Sequence, residues 1–299
     1  MRKTTRLKQL IAAPQIVVLP GVHDALGVRL AEAAGFDALT AGGYGATATL
    51  LGRPDSSQLS LTELADMYSR FCDATSLPLL ADADTGFGNV TNVARAVHLY
   101  EKAGVAGLFI EDQVFPKRCG HMAGKAVVST AEWIAKIKAA LDAREDPDLV
   151  IMARTDALAV NGIDDAILRA QLAHEAGADL LFVEAPTSID HMRRICAEVP
   201  GPCLANNVET GLSPLLPAAQ LQAIGYAAVV FPVAATYAVA HTLRDLFATM
   251  RRTGTTEAFL PRMLEFGAFN ELVGLSAQRV REAELQDFAA ALVAPRGAR

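Results

Sequence analysis

Short apolar runs alternate with longer stretches of helical period along most of the chain. The runs are Ile16–Pro20, Ala38–Ala41, Leu77–Ala83, Gly107–Asp112, Leu149–Arg154, Leu180–Glu184, Cys203–Asn207 and Ala227–Phe231. Each is continuously apolar rather than alternating, the pattern of a strand covered on both faces of a parallel sheet. Helices are predicted between them: Asp24–Ala34, Thr91–Ala103, Thr130–Ala143, Asp164–Ala176 and Asp190–Val199, with Thr130 and Asp190 in cap-like positions. Four helices end in glycine before the next strand, at Gly35, Gly104, Gly177 and Gly225. Glycine there supplies the left-handed residue that stops a helix. Eight strands in unbroken alternation, with no GxGxxG after the first, predict an α/β fold of (β/α)8 TIM-barrel type over residues 1–255 rather than an open doubly wound sheet. Residues 256–299 show helical spacing at Phe259, Met263 and Phe266, and again at Leu272 and Leu275, with Gly267 expected to separate two helices. They form a predicted helical extension that packs on the barrel or on a neighbouring subunit.

Composition narrows the function classes. With 52% apolar and 20% charged residues, the 299-residue chain has ample material for a large core. A net charge of −6 argues against nucleic-acid and membrane-surface partners, which need a basic excess. Cys72, Cys119, Cys196 and Cys203 show no CxxC spacing, which suits a reduced, cytoplasmic setting. The basic start, Met1 to Lys8, is followed by an apolar run broken at Pro14 and Pro20, so neither a signal peptide nor a membrane span is expected.

In a barrel of this kind the active site lies at the C-terminal ends of the strands, and the polar residues gather there. Strand three ends in Asp82-Ala83-Asp84, strand four in Glu111-Asp112, strand five in Arg154-Thr155-Asp156, strand six in Glu184, and strand seven in Asn206-Asn207 with Glu209 nearby. Strand two runs into a glycine-rich turn, Gly42-Gly43-Tyr44-Gly45, and on to Asp55. Acids from several strands repel one another in a shared mouth, and a divalent cation relieves that. Asp55, Asp82, Asp84 and Glu111 are hard oxygen donors, which point to Mg2+ or Mn2+ and not to zinc. An Asp-x-Asp alone is also an ordinary strand-end loop; the acids on the next strand tip the balance towards metal.

The segment after strand four holds Lys117, Arg118, Cys119, Gly120 and His121. Cys72, Cys196 and Cys203 read as small buried hydrophobes. Cys119 lies among cations that are expected to lower its pKa from about 8.5 towards neutrality, where it would serve as a proton donor or acceptor. The Gly42–Gly45 turn is suited to holding a carboxylate on its N–H groups, and Arg154 to clamping one in a fork.

These segments resemble the isocitrate lyase and phosphoenolpyruvate mutase superfamily over nearly the whole chain. The matching stretches are Leu51–Asp55, Ala81–Asn89, Ile110–Gln113, Lys117–His121 and Ala153–Ala157, and the Lys-Arg-Cys-Gly-His loop is similar to that of the lyase branch. The resemblance implies Mg2+ near Asp82, with Asp55, Asp84 and Glu111 contributing directly or through water. It implies Cys119 as general acid on a loop that closes over the substrate, with His121 and Glu184 orienting the far end. It also implies a last helix exchanged between subunits of a dimeric or tetrameric homo-oligomer. Methylisocitrate lyases carry a Ser-Gly-Gly turn after strand two and an arginine after strand eight, where this chain has Gly42-Gly43-Tyr44 and Tyr237. The Gly-Tyr pair is closer to the 2,3-dimethylmalate lyases and the plant 2-alkylmalate and oxaloacetate hydrolase group. The expected ligand is therefore a small 2-hydroxy or 2-oxo dicarboxylate, bound by Gly42, Gly43, Tyr44, Asp82, Arg154, Asn206 and Tyr237. The expected reaction is Mg2+-dependent C–C cleavage to a 2-oxo acid and a carboxylate. Methylisocitrate lyase, carboxyphosphonoenolpyruvate phosphonomutase and oxaloacetate hydrolase remain alternatives.

Overall fold

A computed structural model describes residues 1–122 and 124–294. Eight strands form in these residues: β1 Val17–Pro20, β2 Leu39–Ala41, β3 Leu79–Asp82, β4 Gly107–Glu111, β5 Val150–Thr155, β6 Leu180–Val183, β7 Leu204–Asn206 and β8 Ala228–Phe231. All pairings are parallel. One ladder runs β1-β8-β7 and the other β2-β3-β4-β5-β6. Parallel bridges Gly21↔Thr40 and Leu181↔Cys203 join the two ladders and close the barrel.

Every strand predicted from its apolar run is present. Gly35, Gly104, Gly177 and Gly225 all have positive φ, as a left-handed helix stop requires. The caps sit one or two residues earlier than expected: the side chains of Ser129 and Ser188, not Thr130 and Asp190, accept first-turn N–H groups. The Gly42–Gly45 segment is not a turn but the start of a helix, Gly43–Leu51. The helix Lys3–Ala12, which apolar periodicity does not flag, sends Leu7 and Ile11 into the barrel interior beside Val17, Leu19, Leu80, Val150 and Leu180. The i, i+4 pair Leu7 and Ile11 carries its packing, while its basic residues stay outside the core.

Compact packing divides the chain after Val239, inside the helix Ala234–Thr253. The second unit begins at Ala240 and is helical: a 3-10 turn Glu257–Arg262, then helices Phe266–Leu272 and Leu275–Val293. The break falls at Gly274, with φ 86°, and not at Gly267, which lies within a helix.

What positions the site is the two-residue period of the strands. One inward layer is apolar: Leu80, Phe109, Met152, Phe182, Leu204 and Val230 all pack in or line the barrel interior. Two residues on, the inward positions become Asp82, Glu111, Arg154, Glu184, Asn206 and Pro232. The residues between, such as Ala81, Ile110, Ala153 and Val183, pack in the layer between strands and helices.

Candidate active site

A cavity of about 250 Å³ opens above the apolar layer. It is lined by Gly42, Gly43, Tyr44, Asp55, Asp82, Cys119, His121, Arg154, Glu184, Asn206 and Tyr237, so eleven expected site residues converge on one space. Asp84 and Glu111 do not line it. Both lie just behind the wall, 3% and 0% exposed.

The aspartates meet a cation from the protein itself. Lys117 Nζ stands 2.9 Å from Asp55 Oδ2, 3.0 Å from Asp84 Oδ1 and 3.8 Å from Asp82 Oδ2. Asp82 is held firmly: its Oδ1 accepts from the Asp84 N–H at 2.8 Å and its Oδ2 from the Gly43 N–H at 2.8 Å. The Tyr68 and Tyr100 hydroxyls donate to its carbonyl at 3.1 and 2.9 Å. The Gly43 N–H, expected to face a ligand, is therefore engaged by Asp82, while Tyr44 and Gly45 remain first-turn donors without intrahelical partners. Asp84 has φ 47°, a left-handed conformation that costs a non-glycine residue energy and occurs where a side chain must be aimed.

Among the described residues, no three acidic, His or Cys side chains form a ready-made metal cage. The donor set nonetheless fits Mg2+, which takes few direct carboxylates and keeps its waters. Both Glu111 oxygens are buried without a hydrogen-bond partner, and Asp84 Oδ1 has only the Lys117 ammonium, at 3.0 Å. Burial pushes Glu111 well above the usual carboxylate range against the opposing pull of Arg154 and Lys117. Burial, opposed by Lys117, lifts Asp84 to about 6. A divalent ion with its water shell would satisfy these oxygens and stabilise both ionised forms.

A second network crosses the cavity. Arg154 Nε lies 3.0 Å from Asp156 and 3.4 Å from Glu111, and its Nη2 lies 3.0 Å from Glu184. His121 Nδ1 accepts from the Leu212 N–H at 2.9 Å. A neutral ring therefore carries its proton on Nε2, which faces Glu184 Oε1 at 3.2 Å. Burial alone would raise Glu184, but Arg154 and His121 outweigh it and hold it near 2. Asn206 Nδ2 donates to the same carboxylate at 3.2 Å.

Glu111 and its neighbour Asp112 point opposite ways. Asp112 accepts from Thr155 Oγ1 at 2.6 Å, the Asp156 N–H at 2.8 Å and Arg169 Nη1 at 3.1 Å, outside the cavity. It braces the barrel and does not meet the ligand space.

Cys119 corrects an expectation. Lys117 turns into the aspartates, and burial, followed by Glu184 among the raising influences, pushes the thiol pKa up, not down. At neutral pH Cys119 is a protonated thiol facing the cavity, the form a proton donor requires.

Tyr237 donates to the Tyr44 hydroxyl at 3.3 Å, with the rings edge to face at 6.1 Å. Sequence reasoning did not assign Lys117, Lys125, Asp156 or Gly120 to this network. Asp156, two residues beyond inward-facing Arg154 on the same strand end, was the one within reach of a period argument.

The phosphoenolpyruvate phosphomutase family model matches residues 7–251. A 2,3-dimethylmalate lyase of Eubacterium barkeri is 44% identical over 95% of this chain and 98% of its own. The chain belongs to the phosphoenolpyruvate mutase/isocitrate lyase superfamily. A 2-methylisocitrate lyase of Aeropyrum pernix is 40% identical over 96% of this chain and 92% of its own. Among solved superfamily structures, a 2,3-dimethylmalate lyase superposes with a TM-score of 0.90 at 34% identity, covering 100% of this chain and 99% of that one. A phosphonopyruvate hydrolase in complex with oxalate and Mg2+ superposes with a TM-score of 0.86 at 32% identity, covering 95% and 99%. The superfamily fold agrees with the barrel described above, and the chain is an enzyme of this superfamily's lyase kind.

Proposed function

We propose that the protein cleaves a 2-hydroxy dicarboxylate of the 2-alkylmalate or 2,3-dimethylmalate type into a 2-oxo acid, such as pyruvate, and a second carboxylate. The observation that carries this reading is the Tyr44–Tyr237 hydroxyl pair on the cavity wall. A tricarboxylate would need a cation there. An unpaired carboxylate in a closed site costs roughly 3–5 kcal/mol, so a substrate with two carboxylates suits this wall better than one with three.

In this reading Asp55, Asp82, Asp84 and Glu111 would hold Mg2+, or Mn2+, directly or through water. Such an ion, when bound, would supply Lewis acidity towards a 2-hydroxyl beside a carboxylate. Arg154 receives a substrate carboxylate, and Asn206 with the Tyr44 N–H places the 2-oxo-acid oxygen. Tyr44, whose oxygen accepts from Tyr237, keeps its own hydrogen to donate to the 2-oxygen, and the 2-hydroxyl proton leaves through water to solvent. As the C2–C3 bond breaks, its electron pair leaves with the carboxylate fragment. The Cys119 thiol then gives its proton to that carbanion, while His121 and Glu184 orient its far end.

The second unit supports a homo-oligomer, dimer or tetramer, with helices exchanged or shared between subunits. Phe247, Leu264, Phe266, Phe288 and Val293 are each at least 59% exposed within the single chain, more apolar surface than a solvated helical unit needs. Four free cysteines suit a cytoplasmic setting.

The test is a panel of substituted malates, 2-methylisocitrate, oxaloacetate and phosphonates with Mg2+, with the 2-oxo acid read by a coupled dehydrogenase. Turnover on substituted malates is expected, falling about 10²–10⁴-fold in Cys119→Ser. Activity confined to 2-methylisocitrate or to phosphonates would sink the substrate reading. Full activity in Cys119→Ser would sink the proton-donor role.

A further inference from the structure

The segment between β4 and the helix Thr130–Ala143 leaves the barrel and returns over the cavity. Its two ends are zipped together: Gln113 bridges Val127 antiparallel, the Val114 N–H donates to the Ala126 carbonyl at 2.8 Å, and the Val128 N–H to the Asp112 carbonyl at 2.8 Å. Between these ends, Lys117, Cys119, Gly120, His121 and Met122 reach the cavity. Lys125 sits on the returning limb, with its side chain 3% exposed. A lysine this buried is paired or unstable.

Lys125 has two partners. Its ammonium donates to the Gly120 carbonyl, the peptide that joins Gly120 to His121. It also lies 2.8 Å from Asp156 Oδ1. Asp156 is fully buried, and Arg154 reaches the same carboxylate through Nε at 3.0 Å and Nη2 at 3.3 Å. The Asp156 backbone is itself fixed, its N–H donating to Asp112 Oδ1 at 2.8 Å. One rigid carboxylate is thus shared by the guanidinium on the cavity wall and by the ammonium that grips the loop. Gly120 presses against the same groups, since a Cβ there would collide with Arg154 Nη2 and Glu184.

We propose that Lys125 is a positioning residue that fixes the Cys119–His121 tip over the cavity and, through Asp156, ties the seating of that tip to the direction of Arg154. Lys125 touches neither the cavity nor the reacting atoms. It acts by holding one peptide and one carboxylate in register. Loss of its charge leaves Asp156 to Arg154 alone and frees the Gly120 carbonyl. The tip then loses its seat, and Arg154 turns towards Asp156 and away from Glu184. The inference rests on Cys119 as proton donor only for its effect on turnover. The seating itself is read independently.

The experiment uses Lys125→Met, with iodoacetamide labelling of the native protein and mass mapping of each cysteine. Cys196, partly exposed on the helix Ile189–Glu198, is the internal control. The expected result is a rise of about tenfold or more in the labelling of Cys119 relative to Cys196. It is accompanied by a fall in kcat of at least about tenfold, within the range for losing an aligned proton donor. Lys125→Arg, which keeps the charge, is expected to restore much of both. If Lys125→Met does not fold, Lys125→Gln, which keeps a donor towards Gly120, serves the same comparison. An unchanged Cys119-to-Cys196 labelling ratio overturns the proposal, as does an equal rise at both cysteines, which would report general loosening. Altered labelling with unchanged turnover would preserve the seating role and instead count against Cys119 as the proton donor.

Discussion

Gly120→Ala isolates the cost of seating the loop. The glycine is not in the left-handed region, so the backbone itself admits alanine. The obstacle is the added methyl, which would fall within contact of Arg154 Nη2 and 2.7 Å from Glu184 Cδ. Both neighbours are buried and held by other groups, Arg154 by Asp156 and Glu184 by His121 and Asn206. They cannot yield as a surface side chain would. Overpacking of this kind costs about 1–3 kcal/mol. The loop can evade it by lifting off the cavity, so the strain falls on the seated state and not on the barrel. A cost of that size lowers the seated-to-lifted ratio by roughly 5–150-fold. Measured on whichever substituted malate turns over, kcat/KM should fall by a similar factor while the melting temperature stays within about a degree. Were the strain in the barrel instead, each kcal/mol would lower the midpoint by roughly 2–4 °C. Wild-type kcat/KM in Gly120→Ala, or a melting loss that accounts for the whole effect, would refute the reasoning.

Tyr237→Arg should shift preference towards 2-methylisocitrate. An ion pair at 4 Å is worth about 4 kcal/mol at an effective dielectric constant near 20. Tyr237 is 39% exposed, so roughly half survives screening, about a 30-fold change in the ratio of kcat/KM values. An unchanged ratio in competition assays would argue against Tyr237 as a substrate-sorting residue. The pH profile follows from the raised Cys119 thiol: the proton is present below its pKa and lost above it. Turnover should hold level from neutrality and decline only as pH climbs past the ordinary thiol range; a rate that climbs between pH 7 and 9, read in stopped assays, would mean a reactive thiolate. Asp112→Ala should cost roughly 2–5 kcal/mol by taking one of two carboxylates from buried Arg169 and the acceptor from Thr155 Oγ1 and the Asp156 N–H. Denaturant melts check this, and a loss below about 1 kcal/mol would mean that Arg169 is satisfied by Asp165 and the Val128 carbonyl alone.

The barrel was legible because strands covered on both faces leave continuous apolar runs, and each run here became a strand. The candidate site was legible because polar residues in the inward phase of the strand ends gather at the mouth; Asp112, one position out of phase, faces the other way. What the sequence could not show was which charges would meet. Lys117 and Cys119 are two residues apart, and proximity suggested that the cation acts on the thiol. The loop instead turns Lys117 down among Asp55, Asp82 and Asp84 and leaves Cys119 to burial. Lys125 and Asp156 lie 31 positions apart and meet only once the loop has folded back. Gly43 stands among glycines that predict a turn. Its smallness instead admits Asp82 and Lys117, which a Cβ would approach to 3.2 and 3.3 Å.

The opposed acids at the end of β4 also guard the fold against misassembly. A one-residue slip of this strand would exchange Glu111 and Asp112 and turn Phe109 from the interior towards the helices. It would separate Asp112 from Arg169 and Thr155 while moving Glu111 away from Arg154. Each acid has its own cation on its own side of the strand, so the slipped arrangement loses ion pairs on both faces as well as apolar contacts. Two neighbouring carboxylates thus act as a register key: the charge pattern that serves chemistry on one side of the sheet makes the shifted strand an uncompetitive alternative during folding.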